Sequence, residues 1–231
     1  MGADWAVEER RGTAAGLHAG WTPADPDRPT VALCRVTAPA VVLGSTQRGD
    51  VVDADRARAA GVAVVRRRSG GGAVLVTPDD PVWIDAWIPR GGPLWHEDVS
   101  LAFSWLGTAW AEALAILGHP GASAHRGAYA SCTRWSSLVC FGGVGAGEVV
   151  VPDGRKVVGL AQRRSRPGAW FHSACVLRWE PSALLDVLDL PGPERETARR
   201  ELAAAVVGVD DLGGAPVGRA AAEAALLARL P

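Results

Sequence analysis

Apolar residues along the chain follow two different spacings, which separate predicted helices from predicted strands. Between residues 97 and 117 they recur at three- and four-residue steps, the spacing of one helix face. Residues 53–60 predict a shorter helix, and the alanine-rich chain from Ser182 onward predicts further helices. Loops near 191–193 and 210–216 are expected to interrupt that last segment.

Short β-rich runs predict strands in the first 180 residues. Pro152-Asp153-Gly154 separates two of these runs and is a strong hairpin-turn signal. Residues 1–29 show no clear pattern, although 23–29 (PADPDRP) predict a loop. The predicted strands are residues 30–36, 40–46, 62–67, 82–88, 148–151, 156–163 and 169–178.

The order of these elements, strands first and helices last, predicts an α+β fold. We expect a mixed, mostly antiparallel sheet flanked by helices. The length of 231 residues fits one large domain or two small ones. We expect a single domain over 1–231, with a core at about 30–190 and a helical C-terminal segment at 182–231.

Composition and charge narrow the functional classes. Nearly half of the residues (48%) are apolar and ten are Trp, which is enough for a substantial core. The net charge of −1 argues against binding nucleic acid or a membrane surface by bulk charge. The first 16 residues contain no apolar stretch, and no apolar run reaches ~18 residues, so neither a signal peptide nor a membrane span is expected.

The cysteines and histidines predict no metal site. Cys34, Cys132, Cys140 and Cys175 are scattered without CxxC pairs, which disfavours structural zinc or a disulfide scaffold. The five histidines lack HxxxH spacing. A reducing cytoplasm is the expected location.

One basic residue differs from all the others. Of 24 basic residues, 23 are arginine and one is Lys156. An ammonium is a compact point charge, whereas a guanidinium is a wide, flat fork, so a narrow pocket would accept only the lysine. The alternative is a lysine left by chance on a surface turn.

A glycine-rich segment follows a run of arginines: Arg66-Arg67-Arg68-Ser69-Gly70-Gly71-Gly72-Ala73-Val74. Consecutive glycines let the backbone approach a ligand and point N–H groups at an anion. The spacing matches neither a P-loop nor the dinucleotide fingerprint. Taken alone, the segment could equally be a turn between strands.

A thiol, a lysine and a histidine occur in three motifs farther along the chain. They are Cys140-Phe141, the hairpin strand that begins at Lys156, and Phe171-His172-Ser173. Together these groups suit acyl-transfer chemistry. Each also has a structural interpretation, because buried Cys and His are mostly core residues.

Combined, these motifs resemble a known family. Arg-Arg-x-Ser-Gly-Gly-Gly-Ala, then Gly-x-Lys-x-x-Gly-x-Ala-Gln some eighty residues later, is similar to the catalytic domain shared by lipoate–protein ligases, octanoyltransferases and biotin–protein ligases. The upstream Val42-Leu43-Gly44-Ser45-Thr46-Gln47 also matches. The resemblance covers about residues 40–178 and implies a biotin/lipoate-ligase-like sheet-and-helix domain with a narrow acyl tunnel.

The resemblance also implies roles for individual residues. Lys156 corresponds to the family's essential lysine, which steadies the activated carbonyl or phosphate. Cys140 matches the Cys-Phe dipeptide of one octanoyltransferase subfamily and would be a catalytic nucleophile. The substrate-binding residues would be Arg67, Ser69, Gly70, Gly71, Gly72, Ala73, Gly159, Ala161 and His172.

The sequence departs from the ligase pattern at several points, one of which is Leu160, where the family has a serine. Ligases carry Asp-x-Gly-Asn after the glycine loop, whereas this chain has Thr77-Pro78-Asp79-Asp80, so that Asp80 stands in place of a neutral Asn. A carboxylate beside a triphosphate is unfavourable, which weighs against ATP-dependent ligation. Ser173 stands where the family has a glycine.

The expected function is therefore protein lipoylation, in which a lipoyl or octanoyl group is attached to a lysine of a lipoyl carrier domain. A cysteine-dependent octanoyltransferase and an ATP-dependent ligase both remain open, as does the choice among lipoate, octanoate and biotin. The alternative is a non-catalytic module that binds acyl groups or carrier proteins. The expected partners are a lipoyl domain and possibly an acyl carrier protein. No tightly bound cofactor is expected, and ATP with Mg²⁺ only for a ligase.

Overall fold

The computed structural model describes residues 4–127, 129–131 and 133–231, so Cys132 lies outside the described residues. It confirms the predicted α+β fold. The strands are β1 (Ala6–Gly12), β2 (Thr30–Val36), β3 (Ala40–Leu43), β4 (Ala63–Arg66), β5 (Val74–Val76), β6 (Val82–Pro89), β7 (Ser123–Ala124), β8 (Ala130–Ser131), β9 (Gly143–Val144), β10 (Val149–Val150), β11 (Lys156–Arg164) and β12 (Gly168–Cys175).

Most strands form a seven-stranded main sheet in the order β1-β2-β6-β12-β11-β10-β7. All pairs in it are antiparallel except β1 with β2. A small sheet, β4-β3-β5, and the pair β8-β9 lie apart from it. β6 is buried along its whole length because both faces of the main sheet are covered, so all of its residues except Asp85 are apolar.

Two of the helices, α3 (Ser104–Ile116) and α6 (Arg219–Leu227), cover one face of the main sheet. The other helices are α1 (Ala14–His18), α2 (Ala54–Ala59), α4 (Ser182–Leu185) and α5 (Gly192–Ala205). Trp110 of α3 and Leu226 of α6 are fully buried in a core cluster with Ile84 and Val158 of the sheet. No helix among the described residues is long and apolar enough to cross a membrane.

The opposite face of the main sheet packs on the small sheet and on α1. Trp83 and Trp87 of β6 meet Val42 of β3 and Leu17 of α1 in a second core cluster. The side chains on this face of β11 and β12 are small next to β6, which leaves a cleft between the two sheets. The candidate site occupies this cleft.

The N-terminal residues contain two elements that the sequence pattern did not predict. β1 alternates between partly buried and exposed positions, but Glu and Arg fill most of both faces, so no apolar period is visible. It pairs in parallel with β2 at the edge of the main sheet. α1 follows at once, with the Thr13 hydroxyl accepting a hydrogen bond from the Gly16 N–H at its start.

Several predicted boundaries were wrong. The helix predicted from residue 97 begins at Ser104, because the Asp98 carboxylate accepts the N–H groups of Ser100 and Leu101 and a 3-10 turn follows. The last predicted strand ends at Cys175 rather than at residue 178. The predicted loop at 191–193 contains the start of α5, and the loop at 210–216 opens on a 3-10 turn, Val209–Leu212. The hairpin turn after β10 is confirmed.

Candidate active site

The glycine loop lies against the segment that carries Cys140. The Ala73 carbonyl accepts the Cys140 N–H at 3.0 Å. A Cβ atom added to Gly72 would lie 2.6 Å from the Cys140 nitrogen, a distance that real side chains do not adopt. Glycine is therefore required at this position for the two backbone segments to touch.

Gly71 brings the loop close to the thiol. Its φ of +99° favours glycine, and a Cβ atom there would lie 2.8 Å from the Arg67 guanidinium and 3.7 Å from the Cys140 sulfur. The preceding segment restricts the loop further, because a Cβ atom on Gly44 would meet the Gly71 carbonyl oxygen at 1.9 Å.

Arg67 is the buried anchor of the glycine loop. Its guanidinium donates to the carbonyl oxygens of Val42 at 3.1 Å, Gly70 at 2.7 Å and Gly72 at 2.9 Å. The side chain also lines the cleft. Because its nitrogens are engaged by carbonyls, Arg67 fixes the shape of the loop in addition to contributing positive charge.

Lys156 is buried beneath Cys140. Its Nζ donates to the carbonyl oxygens of Cys140 at 3.1 Å and Gly143 at 2.9 Å, and lies 2.7 Å from the Glu148 carboxylate. These three acceptors match the three protons of an ammonium. The lone lysine is thus no chance surface residue, since only 1% of it is exposed.

Glu148 is a member of the site that the sequence analysis missed. One carboxylate oxygen accepts the Leu160 N–H at 3.0 Å, and the other accepts the Gly145 N–H at 2.7 Å. Burial alone would lower the pKa of Lys156, but the charge of Glu148 and a smaller contribution from Cys140 raise that pKa above its usual value. An acidic residue immediately before the apolar Val149–Val150 was the available signal.

Cys140 lies where two cavities meet. It begins a 3-10 turn, Cys140–Gly142, and its side chain is partly exposed. On one side is an apolar cleft between the two sheets; on the other is an open mouth bordered by the three glycines of the loop, Tyr129 and Glu148. Cys140 therefore borders both an apolar cleft and an opening to the outside.

The floor of the cleft consists of small residues. Gly159, Ala161 and Ala174 line it from β11 and β12. A Cβ atom on Gly159 would lie 3.2 Å from the Phe141 ring and 3.5 Å from the Lys156 stem, so the bare glycine leaves room for both.

The structure brings together most, but not all, of the residues predicted for the site. Arg67, Cys140, Gly159, Ala161 and His172 line the cleft, and Gly70, Gly71 and Gly72 line the mouth. Ser69, Ala73 and Lys156 line neither. Ser69 is buried, and its hydroxyl has no hydrogen-bond partner among the described residues. Ala73 is fully buried and borders a separate cavity beside Trp179.

His172 belongs to a polar cluster at the β6 side of the cleft, most of which the sequence analysis missed. The Asp85 carboxylate lies 2.7 Å from His172 Nδ1 and accepts the Trp83 indole N–H at 2.5 Å. Burial alone would raise the pKa of Asp85, but His172 and these hydrogen bonds hold it below its usual value. His18 of α1 stacks on Trp83, with ring centroids 4.4 Å apart.

The imidazole of His18 is uncharged at neutral pH. Burial, the largest cause, lowers its pKa to about 3; the interactions with His172, Arg67 and Arg10 act in the same direction, and that with Asp85 opposes them. A periodicity search could not have found His18, because α1 is only five residues long.

Asp80 is tied to the backbone after β12. Its carboxylate accepts the N–H groups of Leu177 at 3.0 Å and Arg178 at 2.8 Å. Burial raises the pKa of Asp80, and these two hydrogen bonds offset part of that increase. Ser173, another departure from the ligase pattern, donates its hydroxyl to the Ile84 carbonyl within the main sheet. Both residues therefore have structural partners.

Within the described part of the chain, no group of three or more His, Cys, Asp or Glu side chains could hold a metal ion. The side chains of the site supply a thiol near a buried ion pair, at the edge of an apolar cleft.

Comparison with known proteins places the chain in a family. The model of the lipoyl protein ligase A/B catalytic domain matches residues 14–230. Octanoyltransferase LipM of Kyrpidia tusciae is 32% identical over 202 residues, which are 86% of this chain and 73% of that protein. Octanoyltransferase LipM of Clostridioides difficile is 25% identical over 163 residues, which are 70% of this chain and 59% of that protein.

Solved structures share the fold. A bipartite lipoate protein ligase from Thermoplasma acidophilum superimposes with a TM-score of 0.74 at 19% identity, over 98% of this chain and 82% of that one. A lipoate-protein ligase A bound with ATP gives a TM-score of 0.68 at 20% identity, over 99% and 83%. The chain thus belongs to the lipoyl protein ligase A/B catalytic-domain family and is an acyl-transferring enzyme of protein lipoylation.

Proposed function

We propose that this enzyme is a cysteine-dependent octanoyltransferase, which moves an octanoyl group from an acyl carrier protein to a lysine of a lipoyl domain by way of Cys140. The position of the Cys140 thiol carries the proposal: it borders both the apolar cleft and the open mouth. An acyl chain in the cleft would place its carbonyl beside the sulfur, and the donor and acceptor would reach that carbonyl through the mouth.

The reaction has two balanced steps. In the first, the Cys140 thiolate attacks the carrier thioester; a new C–S bond forms, the old one breaks, and the released carrier thiolate takes up the proton that Cys140 gave up. In the second, a neutral lysine amine of the lipoyl domain attacks the Cys140 thioester. An amide forms, the Cys140 thiolate leaves, and the proton lost by the amine returns to it.

Lys156 and Glu148 would act as positioning residues in this scheme. The ammonium binds the carbonyl oxygens of Cys140 and Gly143, the two ends of the turn that carries the thiol. It also contributes a buried positive charge beneath the turn that carries the thiol. Glu148 holds the ammonium in place from the other side.

Asp80 favours transfer over ATP-dependent ligation. Its carboxylate is committed to the Leu177 and Arg178 N–H groups, so no neutral amide stands in its place to receive a polyphosphate. The two octanoyltransferase relatives support the same choice. The acceptor class is supported by the Thermoplasma acidophilum ligase, whose structural study includes its E2 lipoyl domain.

A turnover assay tests the proposal. The enzyme is incubated with a lipoyl domain and either octanoyl carrier protein or lipoate, ATP and Mg²⁺, and the lipoyl domain is weighed by intact-mass spectrometry. Octanoylation from the carrier protein is expected, with loss of activity in Cys140→Ala and retention in Cys175→Ala, which changes a buried cysteine away from the cleft. Modification only in the ATP arm, unaffected by Cys140→Ala, would establish a ligase instead.

A further inference from the structure

The β6 side of the acyl cleft ends in two aromatic rings. The indole of Trp83 is 4% exposed, and the imidazole of His18 stacks on it. His172 meets His18 edge-on, with ring centroids 5.6 Å apart. All three rings line the cleft, as does Cys140.

Strand register gives the length of the cleft floor from Gly159, which faces the Phe141 ring next to Cys140, to these rings. Gly159 of β11 pairs with Ala174 of β12, which pairs with Trp83 of β6. Paired residues point to the same face, so a chain that runs from Gly159 to Trp83 crosses two strand spacings, or about 9.6 Å. Along this path the cleft floor consists of the small residues Gly159 and Ala174. The chain then meets the large side chain of Trp83.

This length matches an acyl chain of about eight carbons. An extended chain of single bonds advances about 1.2 Å per bond, as the reach of the polypeptide backbone shows, so the seven bonds from the first to the eighth carbon span about 8 Å. Longer chains would have to displace the indole.

Hydrogen bonds hold two of the rings at the β6 side of the cleft in place. The Asp85 carboxylate binds both the Trp83 indole N–H and His172 Nδ1, so one buried group orients two of the three rings. His18 closes the remaining side from α1. Its ring is uncharged at neutral pH, which suits contact with the apolar end of a chain.

We infer that the His18–Trp83 stack is the end stop of the acyl cleft and determines the preference for medium-chain acyl groups of about eight carbons. The inference rests on the proposed function, since it takes the cleft to hold the acyl chain that is attached to Cys140. It assigns the selection of acyl-chain length to residues of β6 and α1, which belong neither to the glycine loop nor to the β10–β11 hairpin that carries Lys156.

Competition among donors tests the inference. Equal amounts of hexanoyl, octanoyl, decanoyl and dodecanoyl carrier protein are offered to the enzyme, and the adduct masses on the enzyme are compared. The wild type should prefer octanoyl. Trp83→Ala should raise the ratio of dodecanoyl to octanoyl adduct at least tenfold, because one methylene in an apolar pocket alters selectivity roughly 10- to 200-fold.

Two further variants keep the test decisive if Trp83→Ala folds poorly. His18→Ala opens the same wall from α1, where alanine favours the helix, and should shift the preference in the same direction. Trp87→Leu is the matched control: Trp87 is buried on the same face of β6 but does not line the cleft, so its acyl-length profile should equal that of the wild type. Thermal unfolding reports on the fold of each variant.

The outcomes separate this inference from the proposed function. A wild type that forms octanoyl adduct best, with an unchanged length profile in Trp83→Ala and His18→Ala, overturns the end stop alone. A wild type that forms no thioester with any donor contradicts the proposed function and the inference together. An equal shift in Trp87→Leu would attribute selectivity to general loosening of the core, and would also overturn the end stop.

Discussion

At the scale of single residues, Lys156 explains why one lysine stands among 23 arginines. Its ammonium has three acceptors in a fully buried site, and the planar fork of an arginine cannot meet the same three directions. The sequence alone indicated a special role for this lysine, whereas the tertiary contact was needed to identify Glu148 as its partner.

The first prediction concerns Lys156→Arg. The larger head should displace the turn at Cys140 and lower thioester formation by roughly 100-fold, the cost of about 1 Å of misplacement at a reacting group. Single-turnover kinetics with octanoyl carrier protein measure this effect. Arg155→Lys, in the adjoining turn, makes the same exchange in reverse at a partly exposed site and should react like the wild type. Near-normal rates in Lys156→Arg would refute the positioning role.

Glu148→Gln is the complementary change. It would leave the buried ammonium of Lys156 without its counter-charge, and removing one partner of a buried pair costs about 3–5 kcal/mol of unfolding free energy. Urea denaturation should therefore show a lower midpoint than for the wild type. An unchanged midpoint would mean that the pair does not hold the site together.

The pKa of His18 predicts how stability depends on pH. Its value is about 3 in the folded chain and 6.5 in the unfolded chain, so below pH 6.5 the unfolded state binds a proton that the folded state does not. His18 should therefore make unfolding easier as the pH falls from about 6.5 towards 3.

Thermal unfolding of the wild type and of His18→Ala across this range isolates the contribution, because the other titrating groups are common to both proteins. The wild type should lose stability relative to the variant as the pH falls. A difference between the two proteins that does not change with pH would contradict the burial of a neutral imidazole.

At the scale of elements, the glycine loop packs so closely on the segment after β3 that Gly44 in that segment must also be a glycine. Gly44→Ala would place a Cβ atom 1.9 Å from the Gly71 carbonyl oxygen, so the loop beside Cys140 must move. Such overpacking typically costs about 1–3 kcal/mol. Transfer activity should fall together with the melting temperature.

Gly49→Ala is the control for this change, because a Cβ atom there meets nothing within 4 Å. It should retain both activity and melting temperature. If Gly44→Ala and Gly49→Ala had the same activity and melting temperature, the loop at Gly71 could accommodate the extra methyl group.

The sequence predicts some elements of the site and not others, for physical reasons. The turn at Pro152-Asp153-Gly154 and the strand that begins at Lys156 carry strong local signals, and the family motifs locate Cys140 and the glycines. The residues at the β6 side of the cleft carry no comparable signal in the sequence. His18 belongs to a short helix, and Trp83 and Asp85 lie within a strand whose sequence resembles any buried strand. Only the folded structure brings them together: the pairing of β6 with β12 sets Asp85 opposite His172, and α1 brings His18 against Trp83 and His172.

At the scale of the whole molecule, the main sheet is the platform on which separate segments converge. The hairpin of β10 and β11 brings Glu148 and Lys156, the small sheet brings the glycine loop, and α1 closes the cleft. The C-terminal helix α6 stabilises the loop before β6, since Arg219 donates to the carbonyl oxygens of Pro78 and Pro81 beside Asp80. A thiol, an apolar cleft and an entrance therefore meet at Cys140.

The most direct test of this account is the mass of the enzyme after brief mixing with octanoyl carrier protein in the absence of a lipoyl domain. One octanoyl group should be found on the peptide that contains Cys140, it should be removed by hydroxylamine, and it should pass to a lipoyl domain added afterwards. Cys140→Ser should form no such hydroxylamine-sensitive thioester. A wild-type chain that transfers octanoyl groups at full rate without this adduct, or with the adduct on another residue, would contradict the central claim that Cys140 carries the acyl group.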